Sequence, residues 1–402
     1  MDFNDTPEEA IFREEVRNWL NDNAGDFRQP LGLSPGDSRF AELGRGWQKK
    51  KAKAGYAAIS LPKEQGGMGG TAMQEVIFAE EEGHYHVPVG PFVGIGCHLA
   101  VPTIYTHGTP EQIEQFGHKT LMGELLWCQM FSEPAAGSDL AGLRTKAVRD
   151  GDDWVVNGQK VWTSWAHTAD WGILVVRTDA DVPKHKGLTY FLLDMKTPGI
   201  DVRPIKQISG ESEFNEVFLT DVRIPDRYRL GEVNGGWKVV MTTLMNERLN
   251  VGGESKGLPS VAELLDVLKQ AGDAAAPYQL EAARHVATDL GLKNFRARLL
   301  TSVSRGETPS AMSNMGKLVY ANMLQDISAI AGDVLGLEQA FFAEGNELSK
   351  KFQYGYIWAS ALRIAGGTDE ILRNQIAERV LGLPGDIRVD KNIAFNELPA
   401  GR

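Results

Sequence analysis

The middle third of the chain, from about residue 125 to 225, changes from the helical hydrophobic period on either side to short β-strands. Its apolar runs WGILVVRT, LTYFLLDM and NEVFLTDVRIP are rich in β-branched and aromatic residues, which favour strands. Asp150–Gly151 and Asn157–Gly158 lie between strands and supply residues that readily adopt positive φ. Closely spaced strands without intervening helices predict an antiparallel barrel or sandwich.

Long helical segments precede and follow these strands. The first helix begins at Thr6 and Pro7, a capping hydroxyl followed by a residue suited to the first helical turn. Further helices are predicted at 39–55, 72–83, 90–107 and 110–121, and after the strands at 235–270, 279–304, 310–336, 347–360 and 368–381. The sequence therefore predicts a mixed, mainly α fold of three domains: helical at 1–122, β at 123–232 and a helical bundle at 233–402.

The composition excludes several classes of protein. The chain has 402 residues and a net charge of −11, which leaves no electrostatic footprint for nucleic acid. The two cysteines, Cys97 and Cys128, provide neither a disulfide framework nor metal-ligand spacing, so a reducing cytoplasm is expected. We see no signal-peptide stretch and no apolar run long enough to span a membrane.

Several common catalytic motifs are absent. No GxGxxG follows a strand, and the glycine-rich stretch 66–70 lacks the lysine of a phosphate-binding loop, so it is interpreted as a tight loop. His84 and His86 have no third ligand nearby, which argues against a metal site. The chemistry must therefore come from other segments.

Three segments have the composition of ligand-binding sites. The first is MFSEPAAGSD (130–139), whose small residues allow backbone N–H groups to approach a ligand. The second is GQKVWTSW (158–165), where a tryptophan for stacking is followed by two hydroxyls. The third is RIAGGTDEILR (363–373), in which Thr368 caps a helix whose N-terminus could receive an anionic or electron-accepting group.

Together and in this order, the three segments resemble the acyl-CoA dehydrogenase family over nearly the whole chain. The resemblance implies an N-terminal helical domain, a central β domain, a C-terminal four-helix bundle, bound FAD, and electron-transfer flavoprotein as the electron acceptor. It also implies contacts with FAD from Gln129, Phe131, Ser132, Gly137, Ser138, Trp162, Ser164, Thr368 and Glu370. Ser138, Arg248 and Gly367 would contact the acyl-CoA.

The catalytic base departs from one common family pattern. Many members carry a glutamate directly before the Gly-Thr of the closing motif, but this chain has Gly366 there. Others, including isovaleryl-CoA and long-chain acyl-CoA dehydrogenases, place the base on a bundle helix before an arginine. The segment LMNERL (244–249) matches that arrangement, so Glu247 is the predicted base and Arg248 its neighbour. A helical base opposite a glycine also hints at a branched, long or bulky acyl group.

A second departure concerns the subunits. Homotetrameric members usually contribute an arginine and a glycine cluster to the FAD of a neighbouring subunit. The corresponding stretches here, 268–273 and 333–338, lack both. We therefore expect an α₂β₂ tetramer with a homologous subunit, as in bacterial enzymes for steroid side chains. The alternative is a homotetramer in which Lys269 or Arg284 takes over the role.

Two other functions stay open from the sequence. One is a flavin oxidase or monooxygenase on the same fold, in which oxygen takes the electrons. The other is a non-catalytic subunit of a dehydrogenase complex, which the retained Glu247 argues against.

Overall fold

A computed structural model describes residues 5–28, 38–90, 92–250, 258–304, 312–336, 347–388 and 390–398. The side chains of residues 38, 247–250, 300, 303 and 304 lie outside this description. The α-helices are α1 (Pro7–Asn23), α2 (Ser38–Lys53), α3 (Ala72–Gly83), α4 (Val101–His107), α5 (Pro110–Gln112), α6 (His118–Leu121), α7 (Gly236–Asn250), α8 (Val261–Ala271), α9 (Gln279–Ser304), α10 (Ser313–Leu335), α11 (Glu347–Leu362) and α12 (Asp369–Arg379). The strands are β1 (Trp127–Met130), β2 (Lys146–Asp150), β3 (Asp153–Lys160), β4 (Trp171–Arg177), β5 (Leu188–Asp194), β6 (Ile200–Pro204), β7 (Asn215–Pro225) and β8 (Arg229–Leu230).

The chain forms two compact units. The β unit comprises Asn4–Glu247 and Asp386–Arg402, and the bundle unit comprises Met1–Phe3 and Arg248–Gly385. The boundaries 1–122, 123–232 and 233–402 of the three predicted domains stay a prediction.

The N-terminal helices of the β unit have their own apolar core. Thr6 and Glu9 form a reciprocal capping box at the start of α1, as the Thr-Pro sequence predicted. Val16, Trp47 and Ile77 are completely buried in the cluster that α1, α2 and α3 share. A nine-residue π-helix, Phe92–Ala100, leads directly into α4.

The strands form one open, mixed sheet in the order β6-β7-β3-β2-β4-β5-β8, with β1 paired to β4. The β1–β4 pair is parallel, with Trp127 opposite Trp171, and β2 meets β4 in parallel at Lys146 and Arg177. The expectation of an antiparallel barrel or sandwich is therefore wrong in two respects, since the sheet does not close and is not wholly antiparallel. The alternation of apolar and polar residues in a strand predicts which side chains face the core. It carries no information on which distant strand pairs with that strand.

The bundle unit is organised around α10, which packs against α8, α9, α11 and α12. Leu264, Leu324 and Phe352 are completely buried in its core. The prediction of one helix over 235–270 is wrong, because α7 ends at Asn250 and α8 begins at Val261. Ser260 starts the second helix through a capping box with Glu263, directly after Pro259.

The C-terminal segment, residues 390–398, belongs to the β unit and packs on the β4–β5 connection. Pro183 and Ala394 form an isolated antiparallel bridge, and Phe395 N–H donates to Val182 O at 2.9 Å. The guanidinium of Arg177 lies 3.5 Å from the centre of the Phe395 ring, a close cation–π contact.

Within the described ranges, no helix has the length and apolar content needed to cross a bilayer. No cluster of three or more metal-ligating side chains occurs among the same residues. Cys97 and Cys128 are free thiols, and burial raises the pKa of Cys97 to about 12, so this thiol stays protonated at neutral pH.

Candidate active site

The first predicted ligand segment, MFSEPAAGSD, begins where β1 ends. Phe131 is buried and meets Tyr190 edge-on, with ring centres 5.8 Å apart. Glu133 and Ala136 exchange backbone hydrogen bonds of 3.0 Å, which bends the chain into a tight turn. This turn brings Gly137 and Ser138 to the surface, whereas Gln129 and Ser132 are half-buried.

The second segment begins at the end of β3 and holds Trp162 in an unusual position. The φ of Trp162 is +59°, and its side chain is 59% exposed. A left-handed backbone at a bulky residue costs about 1–2 kcal/mol. Trp162 contacts Phe214 edge-on at 6.0 Å, and Ser164 is half-buried two residues further on.

Backbone pairing with the start of β7 fixes this conformation. Thr163 and Asn215 exchange backbone hydrogen bonds of 3.0 and 3.1 Å, and the Asn215 side chain donates to Thr163 O at 2.9 Å. Trp165 also has positive φ, +66°, but its ring is stacked on Phe40 with centres 5.6 Å apart. The two strained tryptophans thus differ, because Trp165 has an aromatic partner on its face and Trp162 presents its surface outward.

A buried ion pair joins the two segments. The ammonium of Lys160 donates to Glu133 Oε1 at 2.8 Å and to Phe131 O at 3.0 Å. Lys160 is completely buried, and Glu133 is 7% exposed. Burial opposes ionisation of Glu133, but Lys160 and the N–H groups of Arg144 and Thr145 outweigh it and lower the pKa of the carboxyl.

The ion pair was missed in the sequence, although the chain contains a signal for it. Trp154, Val156 and Lys160 lie at alternating, core-facing positions of β3 and all three are buried. A lysine in a core register implies a buried acceptor, because an unpaired ammonium is rarely buried.

The closing segment, in the bundle unit, is shaped by two consecutive glycines. Gly366 and Gly367 have φ of +64° and +97°, and Thr368 then caps α12 by accepting from Ile371 N–H at 3.3 Å. The buried ammonium of Lys317 donates to Gly367 O at 2.7 Å. This arrangement fixes the loop conformation without any carboxylate at position 366.

Polar side chains on either side secure the same loop. The Arg363 guanidinium bonds to the buried carboxylate of Asp369 at 2.8 Å. The pKa of the exposed Glu370 carboxyl is lowered by its own backbone N–H and by the Thr368 hydroxyl. Thr368 therefore caps α12 as predicted, with Gly367 before it and Glu370 in the first turn.

The predicted base lies on α7. This residue is Glu247, and the side chains of Glu247 and Arg248 fall outside the described residues. The preceding part of the helix is tied into the β unit, because Thr243 Oγ1 lies 3.0 Å from Thr103 Oγ1 and 3.1 Å from Tyr190 OH. These buried hydroxyls fix the position of the helix less than two turns before residue 247.

Matches to known proteins cover all three parts of the chain. The N-terminal, middle and C-terminal domain models of acyl-CoA dehydrogenase match residues 6–124, 128–222 and 234–381. The acyl-CoA dehydrogenase IpdE1 of Mycolicibacterium smegmatis is 40% identical over 394 residues, covering 94% of this chain and 98% of that protein. The chain belongs to the acyl-CoA dehydrogenase family, whose members use FAD.

Three further relatives are also similar to this chain. FadE34 of Mycobacterium tuberculosis is 47% identical over 287 residues, which is 71% of this chain but 39% of that protein's length. Among solved structures, the Tcur3481-Tcur3483 steroid ACAD is 28% identical, with a TM-score of 0.81 and coverage of 96% of this chain and 100% of that one. The ChsE4-ChsE5 complex of M. tuberculosis is 31% identical, with a TM-score of 0.79 and the same coverage. The predicted family and the mixed, mainly α fold are thereby confirmed, with an open sheet in place of the expected barrel or sandwich.

The residues of the β unit fit a flat aromatic cofactor. Trp162 presents a large apolar surface from a strained backbone, and an aromatic partner would stabilise such a surface. Gly137 has no atom within 4 Å of the place where a Cβ would stand, so a ligand can approach its backbone there. FAD bound here would supply a ring system that accepts a hydride.

Removing the Trp162 indole tests this fit. We expect Trp162→Ala to raise the Kd for FAD about 10-fold, since stacking on an aromatic side chain contributes about 1–3 kcal/mol. Titration of the flavin-depleted protein by fluorescence measures this change. Ile208→Ala is the matched control, because Ile208 is 86% exposed but lies in neither of the two predicted flavin segments, 130–139 and 158–165. Equal FAD affinity of the two variants would rule out stacking on Trp162.

Proposed function

We propose that this chain catalyses the FAD-dependent oxidation of an acyl-CoA thioester to its trans-2-enoyl-CoA, with Glu247 as the base. Family membership supports acyl-CoA dehydrogenation in general. The observation that carries the assignment of the base is the glycine at 366, an exposed residue with φ of +64° and no side chain to remove a proton. Helix α7 extends through residue 247 and provides the alternative carboxylate.

The reaction requires a carboxylate in a dry environment. In the proposed mechanism Glu247 removes the α-proton of the thioester in a site from which the bound substrate excludes water. Bound FAD would supply the acceptor for the hydride of the β-carbon. The electron pair left on the α-carbon by the proton transfer to Glu247 would then form the C=C bond. A backbone N–H donates to the thioester oxygen, where negative charge develops.

Two groups of residues are proposed to hold the ligands. The flavin contacts come from Gln129, Phe131, Ser132, Gly137, Ser138, Trp162, Ser164, Thr368 and Glu370. Ser138, Arg248 and Gly367 contact the acyl-CoA. The supporting observation is that the first two segments lie side by side, since Val161 N–H donates to Ser132 O at 2.9 Å.

The proposed substrate carries a bulky acyl group. Glycine at 366 leaves space that a glutamate would fill in many family members, which favours branched, long or steroid side-chain thioesters. One structural relative with a TM-score of 0.81 carries the description steroid ACAD, which supports the same choice. Electron-transfer flavoprotein is the proposed electron acceptor.

An anaerobic acyl-CoA panel tests the function. The purified, flavin-loaded assembly is mixed with short straight, long straight, branched and steroid side-chain thioesters, and loss of visible flavin absorbance is followed by stopped flow. Fastest bleaching by the bulky thioesters is the expected result. Bleaching by none of them contradicts the dehydrogenase proposal, and rapid reoxidation of the bleached enzyme in air identifies an oxidase instead.

The proposed assembly is an α₂β₂ tetramer with a homologous subunit. A solved relative described as the ChsE4-ChsE5 complex is a heteromer, which supports this arrangement. In this chain, Leu268 is 8% exposed and belongs to the bundle core, so it offers no donor to a neighbour's flavin. The adjacent residue, Lys269, is exposed, and in the homotetrameric alternative its ammonium would take over the role of the missing arginine.

A further inference from the structure

Lys160 has an environment that few lysines tolerate. Its side chain is completely buried, and its ammonium bonds to two acceptors, Glu133 Oε1 and Phe131 O. A buried charge must be compensated by hydrogen bonds and an opposite charge, which makes the position of each partner critical.

The carboxylate partner is itself held rigidly. Glu133 Oε2 accepts from Arg144 N–H at 2.6 Å, and Oε1 accepts from Thr145 N–H at 2.9 Å as well as from Lys160. Both carboxylate oxygens are therefore satisfied by groups on a neighbouring stretch of backbone. Because backbone N–H groups bond to both oxygens of Glu133, the carboxylate holds the Lys160 ammonium in a fixed position.

The hydrogen bond to Phe131 O connects the Lys160–Glu133 ion pair to the two proposed flavin segments. Lys160 is the last residue of β3, two residues before the strained Trp162, while Phe131 lies in the other flavin segment. The Phe131 carbonyl is thus tied to the ammonium, and the next carbonyl, Ser132 O, is tied to Val161 N–H at 2.9 Å. Two successive carbonyls of the first segment are bonded to two successive residues of the second.

We propose that Lys160 is a positioning residue for the flavin, which sets the spacing between the MFSEPAAGSD turn and the Trp162 edge. This inference rests on the proposed flavin contacts of Phe131, Ser132 and Trp162. Lys160 acts through these residues and does not itself touch the cofactor, because its side chain has no exposed surface.

The chain contains a matched control for the loss of a buried lysine. In the helical part of the β unit, Lys51 bonds to Glu82 at 3.0 Å, with side chains 3% and 7% exposed. Trp47 Nε1 also donates to this carboxylate, at 2.6 Å. This second pair is as buried as the first but includes no residue of either flavin segment.

The experiment compares Lys160→Met with Lys51→Met in the purified, full-length assembly. Both variants are expected to unfold at lower temperature than the wild type. Only Lys160→Met is expected to raise the Kd for FAD, by about 10-fold, the lower range for losing a residue that positions ligand contacts without touching the ligand. It should also alter the flavin absorption band and reduce the quenching of tryptophan fluorescence by FAD.

A double variant separates folding from positioning. Glu133→Gln combined with Lys160→Met removes both charges, so that no uncompensated charge stays buried. The amide oxygen can accept from only one of the two backbone N–H groups that the carboxylate satisfied. We therefore expect a thermal stability between those of Lys160→Met and the wild type, together with the same weakened FAD binding as Lys160→Met. FAD binding and a flavin spectrum unchanged from wild type in this double variant would overturn the positioning role. Failure of the wild-type protein to bleach with acyl-CoA would instead count against the proposed function.

Discussion

Glu247→Gln is expected to lower the rate of flavin reduction by about 10³-fold while FAD stays bound, the range for removing a general base. The amide keeps the size and hydrogen bonding of the side chain but cannot accept the α-proton at neutral pH. The measurement is anaerobic stopped flow with a saturating acyl-CoA that bleaches the wild type. Glu232→Gln, an exposed carboxylate of the β unit, is the control and should retain the wild-type rate.

A second-site variant sharpens this test. Adding Gly366→Glu to Glu247→Gln supplies a carboxylate from the closing segment, so part of the lost rate should return. The recovery will be incomplete, because φ is +64° at this position and a side chain there is strained by about 1 kcal/mol or more. Retention of most of the rate in Glu247→Gln alone would mean that the base has been misassigned.

The chain expressed alone is expected to contain at least about 10-fold less FAD than the same chain expressed with its homologous partner, because the cofactor's pyrophosphate would lack charged hydrogen-bond donors. A second copy of this chain would present Leu268, buried in its own bundle, and Asp333, an acid that repels phosphate. The measurement is FAD per tetramer by absorbance, together with acyl-CoA dehydrogenase activity of both preparations.

Two alanine variants address the homotetrameric alternative directly. Lys269 and Arg284 are both exposed on the bundle unit and could supply the missing cation. In a heteromer, neither Lys269→Ala nor Arg284→Ala should change the FAD content of the co-expressed assembly. Full occupancy and activity of the chain alone, lost in one of these variants, would establish a homotetramer.

Local sequence patterns predicted the elements of the site more successfully than its long-range contacts. The capping hydroxyl of Thr368 and the two glycines before it are evident from adjacent residues, and the structure has them as expected. The hydrogen bond from Lys160 to Phe131 O depends instead on contact between two segments that are 29 residues apart in the sequence. Such meetings are set by strand neighbours, and the parallel β1–β4 pairing that frames the site leaves no mark in either strand's alternation.

Backbone conformation was the other feature that the sequence did not reveal. Positive φ was expected at glycines, and Gly151 fits that expectation. It also occurs at Trp162 and Trp165, where nothing in the residue type suggests it, since a bulky side chain disfavours this region. The pairing of Thr163 with Asn215 imposes the conformation, so a tertiary contact overrides a local preference.

The return of the C-terminal segment to the β unit has a consequence for biosynthesis. Asn396 donates to Asp181 across 215 residues of sequence, and the Arg177 guanidinium lies over the Phe395 ring. On the ribosome, every helix of the bundle unit emerges before these last contacts can form. The β unit therefore stays incomplete until residues 390–398 have followed the whole bundle unit, and its completion is a late folding step with high contact order.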